Sequence, residues 1–210
     1  KPVEYACVPL DDSAIVSKYK THGIDYDGFE AIVFNGDNVF LLVELKGDKE
    51  GGKGSVLIQG IWDKSSGRDV IKILSDPFVR IPPQAIKRRN LQYETLVSLD
   101  DEILILHEAN GESFNRARRE DVGSNPYAYA FKRRSGNLSD SSILITPTDY
   151  RLTDATSIDN TDEFWITNFN YNGELAPPND DKGVVAQLIP FKYDRNRTMI
   201  ESDIKRAISV

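Results

Sequence analysis

Cysteine is nearly absent from this chain: Cys7 is the single one among 210 residues. A disulfide framework is thereby excluded, and so is a cysteine-rich zinc centre. Cys7 reads as a small apolar residue of a strand rather than as a nucleophile. Histidine is almost as scarce, with His22 and His107 alone. No apolar run approaches the ~20 residues that a membrane-spanning helix requires. The GxSxG elbow of serine hydrolases is missing, as are the Rossmann and P-loop signatures. The glycine-rich stretch Gly47–Gly54 lacks the GxxxxGK[ST] spacing and reads as a charged hairpin loop. Cationic residues are outnumbered, 26 against 33, for a formal net charge of −7, which argues against a general nucleic-acid binder. Arg116, Arg118 and Arg119 are interspersed with acids and form no basic patch.

What remains is ordinary for a soluble globular chain: 40% hydrophobic and 28% charged residues. The length suits one large domain or two small ones. The first residue is Lys1 rather than Met, so a processed product or part of a longer protein is expected. Two glycosylation sequons occur, at Asn137 and Asn196, and carry weight only in a secreted eukaryotic protein.

The informative feature is a repeat. FEAIVFNGDNVFLLVELKG at Phe29–Gly47 returns as YETLVSLDDEILILHEANG at Tyr93–Gly111 and, more weakly, as TDATSIDNTDEFWITNFNY at Thr153–Tyr171. Each copy is a short apolar run, a polar turn and a second apolar run, which predicts a β-hairpin. A period this long with strand-like content points to a repeat architecture. Folded about Asp37, Asp101 and Thr161, the hairpins set Glu30 opposite Glu44, Glu94 opposite Glu108, and Asp154 opposite Asn168. Like charges at directly opposite positions are destabilising. Something must offset them: a cation, a basic side chain, a raised carboxylate pKa or full exposure. Two readings follow. The acids bond loop amides and basic side chains, or they form an oxygen-rich cation site, for which Ca²⁺ is the natural occupant. The second reading takes Glu30, Glu44, Glu94, Glu108, Asp154 and Asn168 as metal ligands.

Further strands are expected at Lys1–Leu10, Ser55–Trp62, Val70–Leu74, Tyr127–Arg133, Ser141–Ile145 and Val184–Tyr193, the last interrupted by Pro190. Asp11–Asp27 reads as polar and turn-rich. Arg80–Asn90 is a connection whose prolines forbid a central strand. Thr198–Ile208 shows weak helical spacing. Hairpins followed by outer strands have the anatomy of propeller blades. The expected fold is therefore all-β and β-propeller-like, with three to four antiparallel blades. It is read as a single unit over residues 1–210 with blade cores near 29–74, 93–145 and 153–193. Propellers close with about four to eight blades, so the expectation is part of a larger propeller, or a ring completed by a second chain.

The pieces FEAIVF-GDNVFLLVE, ETLVSLDDEILILHEANG and YRLTDATSIDNTDEFWITNFNYNG resemble three blade cores of the six-bladed propellers grouped as esterase-like phytase proteins. The resemblance covers roughly Asp27–Tyr193. It implies a periplasmic or secreted protein, often calcium-binding, with phosphoester or ester hydrolase activity. It marks Glu30, Glu94 and Asp154 as acids of the inner rim. Asn168 departs from the pattern by replacing the third outer acid.

Two function classes stand side by side. In a metal-dependent hydrolase, Ca²⁺ would polarise a phosphoryl or ester oxygen and acidify a bound water. Glu94 and Glu108 would be the catalytic general-base candidates. His107 ranks below them, because alternation turns it away from the face that Glu108 uses. Arg151 or Arg116 would bind an anionic small molecule. In a non-enzymatic propeller, one face binds a partner, with Trp165, Phe169 and Tyr171 as candidate contacts. An assembly whose partner completes the ring is a variant of the second class, driven by open sheet edges.

Overall fold

The computed structural model describes residues 7–22, 25–47, 54–65, 67, 69–83, 92–109, 127–148, 151–170 and 185–210. The expected all-β class holds: fifteen strands, one α-helix and one short 3₁₀ turn are present among these residues. The strands lie in curled, predominantly antiparallel sheets, consistent with a propeller-like all-β fold. The chain divides into two compact units, Lys1–Arg80 and Ile81–Val210.

In the first unit, β1 (Leu10–Asp11) and α1 (Ser13–His22) precede a hairpin of β2 (Asp25–Asn35) and β3 (Asn38–Gly47). Strands β4 (Gly54–Asp63) and β5 (Val70–Ile81) follow. Among the described residues the sheet order is β1-β5-β4-β3-β2, with β2 at its end. Val39, Leu41, Val43, Val56, Ile58, Ile71 and Ile73 line one face of this sheet, and Ile15 of α1 is buried against them. The helix corrects the expectation of a turn-rich segment over 11–27. Its period is weak, and burial of Ile15 on the sheet overrides local propensity. Asp11 supports its start by accepting the Ser13 N–H at 3.1 Å. The predicted strand over Lys1–Leu10 is realised only at Leu10–Asp11, with residues 1–6 outside the described set.

The second unit contains the hairpin β6 (Tyr93–Ser98) and β7 (Glu102–His107), then β8 (Tyr127–Lys132), β9 (Asn137–Leu138) and β10 (Ile143–Ile145). The hairpin β11 (Arg151–Ser157) and β12 (Glu163–Asn170) follows. Strands β13 (Val185–Asp194), β14 (Met199–Ser202) and β15 (Ile208–Ser209) complete it, with a 3₁₀ turn at Ile204–Arg206. One sheet runs β11-β12-β13-β14-β10-β8-β7-β6, and its two end strands pack against each other. The sheet is thus nearly closed and barrel-like. Inside it Leu104, Leu106, Ala128, Ala130, Phe164, Ile166, Ile189 and Phe191 form the core, with the Phe164 and Phe191 rings stacked at 6.0 Å.

Two local readings change. The helical spacing over Thr198–Ile208 resolves into β14, the 3₁₀ turn and β15, because pairing with β13 and β10 buries Ile200. Pro190 does not interrupt β13. It pairs with Trp165 across β12. On its other side it lies at the end of the pairing with β14, where its carbonyl accepts the Asp203 N–H at 2.8 Å, so the missing N–H falls at the margin of that ladder.

The turn end of the barrel is held by one side chain. Arg195, in the β13–β14 turn, places Nη1 at 2.7 Å from Glu102 and 3.2 Å from Asp101. Its Nε donates to Asp162 Oδ1 at 3.0 Å. One guanidinium thus joins the turns of the second and third hairpins. Replacing Arg195 by Met should lower unfolding free energy by about 1–2 kcal/mol, the upper range for a partly exposed network after solvent screening. Chemical denaturation in low salt and at 1 M salt checks this. The gap between variant and parent should narrow as salt rises, and an unchanged gap would assign the loss to packing over Tyr193 instead.

Candidate functional site

The repeat acids come from equivalent places in three hairpins, but their registers differ from the expected ones. The first hairpin turns between Gly36 and Asp37, with Asn35 paired to Asn38. Gly36 adopts a φ of 62°, which glycine takes without steric cost. Phe34 therefore opposes Val39 rather than Phe40, and Ile32 opposes Leu41 rather than Leu42. The ladder then shifts by one residue at Glu30, so that Glu44 faces Gly28. In the second hairpin the shift falls at Glu94, and His107 opposes Tyr93. In the third it falls at Thr153, where Leu152 opposes Asn168 and Asp154 opposes Thr167. None of the three expected acid pairs is a directly opposite pair. The physical reason is common to all: each loop centres half a residue earlier than assumed, and a β-bulge inserts one unpaired residue near the acid.

The bulges nevertheless bring one pair together. The Glu94 carboxyl lies near enough to the Glu108 carboxyl to raise its pKa. Glu108 is fully buried, at 0% exposure. Its Oε1 accepts the Gln92 N–H at 2.8 Å, and its Oε2 lies 3.0 Å from Nη1 of Arg151. Burial, and then the Glu94 carboxylate, push the Glu108 carboxyl up to about 9; Arg151 and the Gln92 amide act in the opposite sense. Burial and the neighbouring carboxyl thus favour a proton on Glu108, with the Arg151 guanidinium beside it.

The same residues form the seam of the barrel. The Leu152 N–H of β11 donates to the Glu108 carbonyl at 3.0 Å. The Thr95 hydroxyl of β6 donates to the Leu152 carbonyl at 3.2 Å. Asn168, fully buried, donates from Nδ2 to the Arg151 carbonyl at 3.2 Å and to Thr148 Oγ1 at 3.1 Å. The predicted outer-position amide therefore fixes the backbone of the residue that meets Glu108. His107 is buried beside it; its Nδ1 accepts the Ala109 N–H at 3.1 Å, and its ring meets Tyr93 edge-on at 5.1 Å.

The other predicted residues add no ligand to this cluster among the described contacts of the second unit. Asp154 is exposed and accepts the N–H of Ala155 at 2.8 Å. Glu30 and Glu44 belong to the first unit, Glu94, Glu108, Asp154 and Asn168 to the second. Trp165 is half-buried under the Arg206 guanidinium at 5.8 Å, and Phe169 pairs with Arg151 across the ladder. Arg116 and Tyr171 lie outside the described residues. A cleft of about 210 Å³, bordered by Glu163, Lys192, Glu201 and Arg206, contains none of the six predicted ligands. Gln92, Thr95 and the Arg195 clasp escaped sequence reasoning, and no spacing in the chain signals them.

The donor set can be tested against calcium. A divalent ion between Glu94 and Glu108 would have to deprotonate Glu108 and displace Arg151 from Oε2. The cluster fits a proton and a guanidinium better than a hard dication. No family model matches the chain, and no curated protein matches it.

Two outcomes follow from this chemistry. Because the folded state holds a proton on Glu108 that the unfolded chain releases near 4.5, stability should fall as pH rises from about 5 toward 9. Urea melts across that window should show the decline, and Glu94→Gln, which removes one cause of the shift, should flatten it. Replacing Arg151 by Met removes the polar partner of the buried Glu108 carboxyl and should cost on the order of 1–3 kcal/mol at pH 7, more as the pH approaches 9. Ca²⁺ or EDTA should leave the melting temperature unchanged. A Ca²⁺-dependent rise that Glu94→Gln abolishes would instead make these acids a metal site.

Proposed function

We propose that this chain is a non-enzymatic all-β module that acts by binding or assembly. The observation that carries the reading is an inversion of roles. Of the two carboxyls that catalysis would need, Glu108 is fully buried in a seam and Glu94 is half-buried beside it, while large apolar side chains stand in solvent. Phe29, Ile32 and Phe34 are 37%, 46% and 46% exposed along a single strand. Contiguous exposed apolar side chains on a strand are characteristic of interaction surfaces. The resemblance to esterase-like phytase propellers supports an extracytoplasmic setting for such a module. It also supplies the competing reading, calcium-dependent hydrolysis of esters or phosphoesters. The full burial of Glu108 weighs against that alternative, since a general base must reach a proton of substrate or water.

The test is a hydrolysis screen on aryl phosphate and aryl ester substrates, with and without Ca²⁺, comparing the parent protein with Glu94→Gln. The expected result is no turnover above buffer in either. Turnover in the parent that Glu94→Gln lowers a hundredfold or more would overturn the proposal and return the acids to catalysis.

A further inference from the structure

β2, the end strand of its sheet among the described residues, carries large apolar side chains that stand partly in solvent. Phe29 opposes Val43, Ile32 opposes Leu41, and Phe34 opposes Val39. Opposed residues share a sheet face, so all three lie on the face of the buried cluster that includes Val39, Leu41 and Val43. The bulge at Glu30 produces this alignment. Residues 29 and 32 would fall on opposite faces in a regular strand, and one inserted residue brings them to the same side. Phe34 extends the row onto Trp62, with ring centroids 5.6 Å apart. The core face therefore continues to the outer border of the sheet. Ile15 of α1 is buried in the cluster on that face, while Ile32 and Phe34 of β2 stay nearly half exposed.

The charge pattern of β2 selects what can complete it. Its acids, Asp25, Asp27 and Glu30, all fall in the first half, and Ala31–Asn35 carries no charge. A parallel pairing with an identical strand would set each acid beside itself, and like charges across a ladder repel. An antiparallel pairing centred on Val33 avoids this. It sets Ile32 opposite Phe34 of the other copy, and the reverse, while the acids fall outside the paired segment at both ends. The repeat itself offers a precedent within the second unit. There β6 and β11, the counterparts of β2 in the second and third copies, pack against each other.

We infer that β2 is a homodimerisation strand, pairing antiparallel with β2 of a second copy of this chain about a two-fold axis at Val33. The interface is isologous, so each copy contributes Ile32 and Phe34 to one continuous apolar row. This inference rests on the binding reading above and gives that reading its partner.

The full chain should sediment as a dimer at tens of micromolar and dissociate on dilution. Ile32→Lys should shift it to monomer at every concentration, with an unchanged far-ultraviolet circular dichroism spectrum. In a Cys7→Ser background, Val33→Cys should form an intermolecular disulfide under mild oxidation, because the axis brings the two positions together. This second variant keeps the inference testable if Ile32→Lys unfolds. A monomer at all concentrations, a dimer indifferent to Ile32→Lys, or a Val33→Cys variant whose thiol stays free under oxidation would overturn the homodimer. Those results would leave the non-enzymatic reading standing, whereas turnover sensitive to Glu94→Gln would remove that reading whatever the oligomeric state.

Discussion

The second unit depends on one joint. A nearly closed sheet must bring its first and last strands together, and their edges must satisfy backbone groups that water no longer reaches. Here the Glu108 carbonyl accepts from Leu152, the Glu108 carboxyl accepts from Gln92, and Arg151 reaches back to the same carboxyl. Two separate segments of chain therefore converge on one residue. Removal of a partner from so dry a site leaves a charge or an amide unsatisfied, which is costlier than the loss of any surface pair. The proton on Glu108 is part of the joint, because without it two carboxylates would share a single guanidinium.

The opposite end solves a related problem by another route. Arg195 meets three acids from two hairpin turns while staying partly in water. Its contribution is screened and modest. The two ends thus differ in kind. One is buried and depends on protonation, the other exposed and dependent on ionic strength. Between them the stacked rings of Phe164 and Phe191 and the aliphatic layer around Ile166 and Ile189 supply the bulk of the apolar burial.

Much of this architecture was legible in the chain. The three hairpins follow from apolar runs around Gly36, Asp100 and Asn160, where turn chemistry and strand content agree. The association of Glu94 with Glu108 also follows from the repeat. Its geometry does not, since a β-bulge leaves no compositional mark and moves every pair beyond it by one residue. Asn168 was legible as a repeat position but not as a backbone anchor, because its partners, Thr148 and Arg151, are set by a sheet that closes over a long sequence distance. Arg151 stood out only as a cation near the third hairpin. Its role requires knowing that β11 meets β6. Helix α1 was hidden for a related reason: burial of Ile15 decides it, and burial is a property of the sheet beneath.

The central claim is that Glu108 holds a proton at neutral pH within the seam. The most direct measurement is a ¹³C NMR titration of the glutamate side-chain carboxyls, with Glu108 assigned through Glu108→Gln. The account predicts one resonance that keeps the shift of a protonated carboxyl at pH 7 and titrates toward about 9. A Glu108 resonance that titrates in the ordinary carboxylate range, near 4.5, would contradict it.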